Sequence, residues 1–212
     1  MKITALIPVY NEENTIEGVV SALKNNPLID EILVVDDGST DDSADLARGM
    51  GVWVISLGEN QGKGAALERG IKEIQSDIIL MLDGDLVGLD DIHIQQLLDP
   101  VLNDECDMTV GVFCHGRGAT DLAQLLAPHL SGQRAVKTSI IKDIEGLSDC
   151  GYGVELAINE YIKKKGRLQY VELPELTHVM KEEKRGFIRG FQDRLKMYSD
   201  LIRIRFDNLK NR

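Results

Sequence analysis

The sequence has few cysteines and no long apolar run, and its first residues show no signal-peptide pattern. Its 212 residues include only Cys106, Cys114 and Cys150, and these form no C-x-x-C pair. An odd number of isolated cysteines gives no disulfide framework, so we expect buried free thiols in a reducing cytoplasm. The longest apolar runs, such as residues 78–82, are far shorter than the ~20 residues of a membrane span. The N-terminus begins with a strand-like segment rather than a signal peptide, which also favours a cytoplasmic protein.

The chain also lacks net positive charge. With 24 Lys/Arg against 35 Asp/Glu, its formal net charge is −11. Phosphate binding needs a basic field, so this balance argues against a nucleic-acid binder. The charge is uneven, because residues 181–212 carry ten basic and five acidic side chains, a net +5 against −16 for residues 1–180. We therefore expect the tail, residues 181–212, to behave as a separate electrostatic unit.

Short β-branched runs alternate with segments of helical period. A hydrophobic content of 43% and a charged content of 28% are typical of one globular domain. The alternation predicts an α/β fold with a mostly parallel sheet and helices on both faces. The predicted strands are residues 3–7, 32–35, 52–56, 78–82, 108–113 and 168–173. The predicted helices are residues 13–25, 42–50, 64–75, 92–102, 121–129, 151–165 and the tail.

Polar residues follow each of the first four predicted strands. Ligands of open parallel sheets bind beyond the carboxyl ends of the strands, so these loops are expected to form one rim. Asp83 and Asp85 follow the fourth strand and project to the same side in an extended chain. Two such carboxylates suit Mg²⁺ or Mn²⁺, which share their remaining positions with substrate phosphates. The alternative is a solvated Asp-Gly-Asp turn.

The second and third loops each allow two interpretations. Lys63 stands between two glycines at a helix start, where an ammonium and backbone N–H groups could bind a phosphate, although the spacing is not that of a P-loop. The alternative is a solvent-exposed lysine in a glycine loop. Asp36 and Asp37 could accept hydrogen bonds from a ribose or base. Ser39 and Asp42 match a capping box for the next helix, and Asn11 is the expected cap of the first helix.

Four motifs in this order resemble the GT-A fold glycosyltransferases of family 2: IPVYNEENTI, VVDDGSTD, NQGKGAAL and LDGD. The resemblance covers residues 1–112 and implies a nucleotide-sugar-binding half. It implies that Pro8, Tyr10 and Glu12 surround the base and that Asp36 and Asp37 contact base or ribose. It further implies that Lys63 contacts the diphosphate and that Asp83 and Asp85 form the Asp-x-Asp metal motif.

The remaining residues, 113–180, are predicted to form an acceptor half. SGQRAV, GYGVE and THVMKEEKRG resemble the glucosyl-3-phosphoglycerate synthase family. This resemblance implies that Gly132 and Arg134 bind an acceptor phosphate, that Glu155 faces the acceptor, and that His178 is a further metal ligand. Each has a structural alternative: Arg134 could pair with Asp149 or Glu145, Glu155 could stabilise a helix start, and a lone histidine is more often structural.

The resemblance predicts a metal-dependent transferase that moves a sugar from a nucleoside-diphosphate sugar to a small anionic acceptor, with Asp85, Glu155 and Lys63 as its catalytic residues. Glu155 or Asp149 would serve as general base if the configuration inverts; Glu155 would orient the acceptor if it is retained. Two alternatives remain open. One is a peripheral-membrane enzyme acting on a polyprenyl phosphate of the dolichyl type. The other is a nucleotide-binding regulator without turnover.

The tail has an amphipathic pattern. Apolar residues recur at steps of three or four, and basic residues surround them: Phe187, Phe191, Leu195, Tyr198, Ile202 and Phe206 form the stripe. Such a stripe needs a cover. Because the tail is basic and the rest of the chain acidic, we expect it to dock on its own domain or on a second subunit in a homodimer, in preference to a membrane.

Truncation after Gly186 is expected to expose the surface that the tail covers. The shortened chain should aggregate or lose its dimer in light scattering. A truncated chain that stays dispersed with an otherwise unaltered particle mass, together with sedimentation of the full chain on anionic liposomes, would favour the polyprenyl-phosphate alternative.

Overall fold

The computed structural model describes residues 1–114 and 131–178, in which strands and helices alternate. The strands are β1 (Ile3–Val9), β2 (Glu31–Asp36), β3 (Trp53–Ser56), β4 (Ile78–Met81), β5 (Leu86–Val87), β6 (Met108–Cys114), β7 (Arg134–Lys137), β8 (Leu168–Pro174) and β9 (Thr177–His178). The helices are α1 (Ile16–Asn25), α2 (Ser43–Gly49), α3 (Lys63–Glu73), α4 (Asp91–Leu102), α5 (Thr138–Ile141) and α6 (Val154–Lys165), with a 3-10 segment (Leu147–Gly153) before α6.

The main sheet of the described residues has seven strands in the order β3-β2-β1-β4-β7-β6-β8. β1 pairs in parallel with β2 and β4, and the β2–β3 and β6–β8 pairs are also parallel. β7 lies antiparallel between β4 and β6. The predicted mostly parallel sheet is therefore confirmed, but the sequence analysis did not anticipate β7. A separate two-stranded ribbon pairs β5 with β9.

Apolar side chains cover both faces of the sheet. In β1, Ala5 and Ile7 join a buried cluster with α1 and α4, whereas Leu6 joins a second cluster with α3 and α6. Successive residues of a strand point to opposite faces, which explains the division. All three side chains are fully buried. Within residues 1–114 and 131–178, no helix has the length and apolar character needed to cross a bilayer.

Two predicted helix caps are wrong. Helix α1 begins at Ile16 with Thr15 as its N-cap, so Asn11 does not cap it. Asn11 instead has a φ of 57° and accepts a hydrogen bond from the backbone N–H of Thr40. Ser39 does not cap α2 either, because α2 begins at Ser43 with Asp42 as its N-cap. The hydroxyl of Ser39 accepts from the backbone N–H of Asn11. Both side chains join the loops after β1 and β2, which are neighbouring strands.

Some predictions fall outside the described part of the chain. These are the helix at residues 121–129 and the amphipathic tail, residues 181–212. The side chain of Cys114 is also outside it. Cys106 and Cys150 are free thiols; Cys106 is buried, as expected, whereas Cys150 is only half-buried. Burial raises the pKa of both. The division of the chain at residues 112 and 180 stays a prediction.

A charge network lies at the C-terminal end of β7. Lys137, the last residue of β7, donates to Asp104 at 2.5 Å and to Asp107 at 2.7 Å. Arg167, just before β8, donates to the same two carboxylates. The Arg167 hydrogen bond, opposed by partial burial, holds the pKa of Asp107 well below its ordinary value. The network therefore ties β6, β7 and β8 together through ionised Asp107.

The depressed pKa gives this network a definite pH dependence. A carboxyl group whose pKa is lowered by folding stabilises the folded state above its unfolded pKa of about 3.9, and that stability is lost as the pH falls toward the folded value. Asp107→Asn should lower the free energy of unfolding by about 1–3 kcal/mol at pH 7 in urea titrations. The difference from the parent should shrink below about pH 4.

The control is Asp99→Asn, which removes an exposed carboxylate of α4 outside this network. It should change the stability little at either pH. Equal effects of the two substitutions at pH 7 would contradict a stabilising role for the network.

Candidate active site

The loops after β1 and β2 are joined by hydrogen bonds. The backbone N–H of Asp37 donates to Val9 O at 2.8 Å, and that of Glu12 donates to the Ser43 hydroxyl at 2.7 Å. Pro8 lies within β1, opposite Val35, and is half-buried. Tyr10 and Glu12 follow the strand and are also half-buried. The predicted base-binding residues therefore share one edge of the sheet, and their contact with a base stays a prediction.

Asp36 and Asp37 are buried, with 4% and 3% of their surfaces exposed. Asp37 accepts hydrogen bonds from the backbone N–H groups of Gln61 and Gly62, both at 2.8 Å. Burial raises the pKa of Asp37, and these two bonds oppose the increase. Asp36 accepts from the backbone N–H of Ser39 at 2.9 Å. Asp37 thus holds the loop that precedes α3, a role that the sequence analysis did not assign to it.

Lys63 is the first residue of α3 and bridges two carboxylates. Its ammonium lies 2.6 Å from Asp83 Oδ1 and 2.5 Å from Glu155 Oε1. Burial favours the neutral amine, but the two carboxylates prevail and raise the pKa of Lys63 well above its ordinary value. The ammonium is therefore charged at neutral pH. The structure brings Lys63, Asp83 and Glu155 together, although they come from three separate motifs.

Asp83 and Asp85 follow β4 at the carboxyl edge of the sheet, as predicted. Between them, Gly84 is close to the first loop: a Cβ atom there would lie 3.1 Å from Val9 and 3.5 Å from Glu12. The described residues contain no cluster of three or more acidic, histidine or cysteine side chains that could hold a metal. A pair of carboxylates nevertheless fits Mg²⁺ or Mn²⁺, because protein sites for such ions often supply one or two carboxylates and leave the rest to phosphates and water.

His178 lies beside this segment through its backbone. It belongs to β9, where it pairs with Leu86, the residue after Asp85. Its side chain is outside the described part of the structure. Its role as a metal ligand stays a prediction.

Gly132 lies directly against the carboxylate of Asp83. A Cβ atom on Gly132 would lie 2.4 Å from both carboxylate oxygens. The next residue, Gln133, is 1% exposed and donates from its side-chain amide to Asp83 Oδ2 at 2.9 Å. The sequence analysis linked Gly132 to an acceptor and gave Gln133 no role. Gln133 is part of the SGQRAV motif, but the motif alone gives it no contact, and only the pairing of β7 with β4 brings it to the site.

Arg134 is buried beneath the site, with 1% of its surface exposed. Its guanidinium donates to the Asn159 side chain at 3.2 Å and to the carbonyl of Ser131. The suggested ion pairs with Asp149 or Glu145 are therefore wrong. Burial lowers the pKa of Arg134, while the charges of Glu155 and Asp83 oppose this. Asn159, fully buried, is a second site neighbour that the sequence analysis missed.

The chain is similar in sequence and in fold to known proteins. Residues 4–151 match the family described as Glycosyl transferase family 2. The match extends over more than half of the chain, so the protein belongs to glycosyltransferase family 2. The resemblance found in its motifs is confirmed.

One curated relative is the glucosyl-3-phosphoglycerate synthase of Mycobacterium tuberculosis. It is 30% identical, and the match covers 74% of this chain. The chain spans only 59% of that relative's length.

Solved structures of the same synthase share the fold. The complex with Mn²⁺, UDP-glucose and phosphoglyceric acid has a TM-score of 0.71 and 26% identity, over 84% of this chain and 71% of that one. The complex with Mg²⁺ and UDP has a TM-score of 0.70 and 27% identity, with the same coverage. The predicted GT-A type of α/β fold is confirmed.

The contact of Gly132 with Asp83 generates a prediction. In Gly132→Ala the new methyl group must displace the carboxylate from Lys63 and Gln133, so the free energy of unfolding should fall by about 1–3 kcal/mol in urea titrations. The matched control is Gly18→Ala in α1, where a Cβ atom meets nothing within 4 Å. Alanine there should raise the stability by up to ~1 kcal/mol. Similar behaviour of the two variants would show that Asp83 adjusts at no cost.

Proposed function

We propose that this protein is a metal-dependent glycosyltransferase that uses a nucleoside-diphosphate sugar and a small phosphorylated or acidic acceptor. The proposal rests on one observation. At the carboxyl edge of the sheet the ammonium of Lys63 contacts the carboxylates of Asp83 and Glu155, and Asp85 lies two residues after Asp83. The synthase of Mycobacterium tuberculosis, whose solved complexes contain Mn²⁺, UDP-glucose and phosphoglyceric acid, supports this substrate class. The substrates are proposed, since the chain spans 59% of that relative's length.

Asp83 and Asp85 would hold the cation, with His178 as a predicted further ligand. A bound Mg²⁺ or Mn²⁺ supplies positive charge to the leaving diphosphate. Lys63 adds to that charge because it is protonated and has an exposed side chain fraction of 31%. Its ammonium is paired with Asp83 and Glu155, and on binding of the donor it would exchange a carboxylate for a phosphate oxygen.

Glu155 is the proposed carboxylate at the reacting sugar and acceptor. It lies at the first turn of α6 with 9% of its side chain exposed, and Lys63 fixes one of its oxygens. In a retaining transfer Glu155 orients the acceptor; in an inverting transfer it, or Asp149, takes the acceptor proton. Arg134 adds a buried positive charge beside Glu155. A direct contact of Arg134 with the acceptor would require it to leave Asn159 and Ser131.

The nucleoside is proposed to bind at the loops after β1 and β2. Pro8, Tyr10 and Glu12 would surround the base, with Asp36 accepting from base or ribose. Asp37 already accepts two backbone hydrogen bonds, so its contribution is to keep the loop before α3 in place for the diphosphate. A homodimer and a cytoplasmic location complete the proposal.

The test measures sugar transfer and binding in parallel. UDP-, GDP- and ADP-glucose are screened with Mn²⁺ by thermal shift, because a ligand at 100 times its dissociation constant stabilises by about 2.7 kcal/mol. Transfer is then assayed with 3-phosphoglycerate. Asp85→Asn should lower kcat/KM at least ~100-fold, since loss even of a residue that only orients a metal ligand costs 10–100-fold.

The control Asp99→Asn removes the same charge from an exposed position on α4 and should leave transfer unchanged. Full activity of Asp85→Asn would contradict the assignment of the metal site. Nucleotide binding without consumption of any donor would favour the regulator, and transfer to a polyprenyl phosphate alone would favour the membrane-surface enzyme.

A further inference from the structure

We propose that Gln133 is a positioning residue for the metal-binding carboxylate of Asp83. The inference rests on the proposed function and concerns how this chain keeps one carboxylate in place for a cation. Its basis is the side-chain amide of Gln133, which donates to Asp83 Oδ2 at 2.9 Å. Gln133 is 1% exposed, so water cannot readily replace this donor.

The orientation of the amide is determined by its other contact. The hydroxyl of Ser131 lies 2.8 Å from Gln133 Oε1 and donates to it, while the backbone N–H of Gln133 donates back to the same hydroxyl at 3.3 Å. An ionised carboxylate can only accept, so the amide must turn its NH₂ group toward Asp83. In this orientation Oε1 of Gln133 points away from Asp83 and accepts the hydrogen bond from the hydroxyl of Ser131.

The backbone around Gln133 is equally well held. The next residue, Arg134, pairs with Met81 in the antiparallel β4–β7 ladder. On the other side, Gln133 O accepts from the backbone N–H of Gly111 at 2.8 Å. Continuing the β4–β7 register by two residues brings Gly132 opposite Asp83, in agreement with the 2.4 Å approach of its missing Cβ. The donor thus lies directly before a central strand, on backbone that is held from both sides.

Gln133 and Lys63 hold the two oxygens of Asp83 in different ways. Lys63 brings a positive charge, which repels a cation at the same carboxylate. Gln133 brings a neutral donor, which satisfies one lone pair of Oδ2 with little opposition to a cation. When Lys63 turns to a phosphate, Gln133 can keep its hydrogen bond and the orientation of the carboxylate. Hydrogen bonds to metal-ligating carboxylates contribute to affinity in this way.

The test measures the affinity for Mn²⁺ in the presence of UDP by calorimetry, and kcat and KM for transfer. Gln133→Met keeps a similar volume but removes the donor. It should weaken Mn²⁺ binding 10–100-fold and lower kcat, with the KM for acceptor little changed. Ser131→Ala keeps Gln133 and removes only the hydroxyl that orients it, so Mn²⁺ binding should weaken by a smaller factor in the same direction.

The matched control is Thr109→Val in β6, next to β7. Thr109 is fully buried; its hydroxyl donates to Leu97 O at 2.7 Å and accepts from the backbone N–H of Ala135 in β7 at 3.2 Å, so the variant perturbs β7 without altering the side chain of Gln133. This variant should lose stability yet bind Mn²⁺ like the parent, which separates positioning from general destabilisation. Should Gln133→Met fail to fold, the Mn²⁺ affinity of Ser131→Ala tests the positioning role instead.

Parent-like Mn²⁺ affinity in a folded Gln133→Met protein, or in Ser131→Ala when Gln133→Met does not fold, would overturn the inference while leaving the proposed function intact. A parent protein that binds neither Mn²⁺ nor UDP would overturn the proposed function, and the inference with it. Equal loss of affinity in Thr109→Val would reduce the effect to stability alone.

Discussion

The site depends on the two hydrogen bonds that the carboxylate of Asp83 accepts. One oxygen accepts from the ammonium of Lys63 and the other from the amide of Gln133. Lys63 begins α3 in the first half of the chain, and Gln133 precedes β7 in the second, so this one side chain joins both halves at the carboxyl edge of β4. The backbone of Gly132 lies against it and leaves no room for a side chain. The position of the carboxylate is thus set from three directions.

The charges around Asp83 are paired with groups of the protein itself. Lys63 contacts the carboxylates of Asp83 and Glu155, whose charges also favour the buried guanidinium of Arg134, and that guanidinium donates to Asn159 and to the carbonyl of Ser131. A buried guanidinium is costly without such partners. The site therefore holds two positive charges. The buried guanidinium of Arg134 cannot easily change its partners, whereas the ammonium of Lys63 is partly exposed. This difference suits a transfer in which the guanidinium of Arg134 keeps its partners while the ammonium of Lys63 binds a phosphate.

The sequence predicted those site residues whose position follows from strand order alone. Lys63, Asp83 and Asp37 come after parallel strands, and parallel strands end at one edge, so their proximity needed only the α/β pattern. The caps assigned to Asn11 and Ser39 were wrong because a capping pattern considers one segment at a time. These two side chains accept hydrogen bonds from the neighbouring loop, which is possible only because β1 and β2 are adjacent in the sheet. The adjacency of β2 and β3 likewise lets Asp37 reach the backbone before α3.

The sequence by itself determined the alternation of strands and helices, the two-faced burial of the sheet and the family, because these depend on local periodicity and on short motifs in a fixed order. Only the tertiary structure decided that β7 runs antiparallel between β4 and β6, and with it the contacts of Gly132 and Gln133 with Asp83 and the burial of Arg134. Reversal of one strand changes which residues lie opposite Asp83 without changing the hydrophobic pattern of that strand. Pairing direction is set by long-range contacts, and so the neighbours of the central carboxylate could not be deduced from the residues around it.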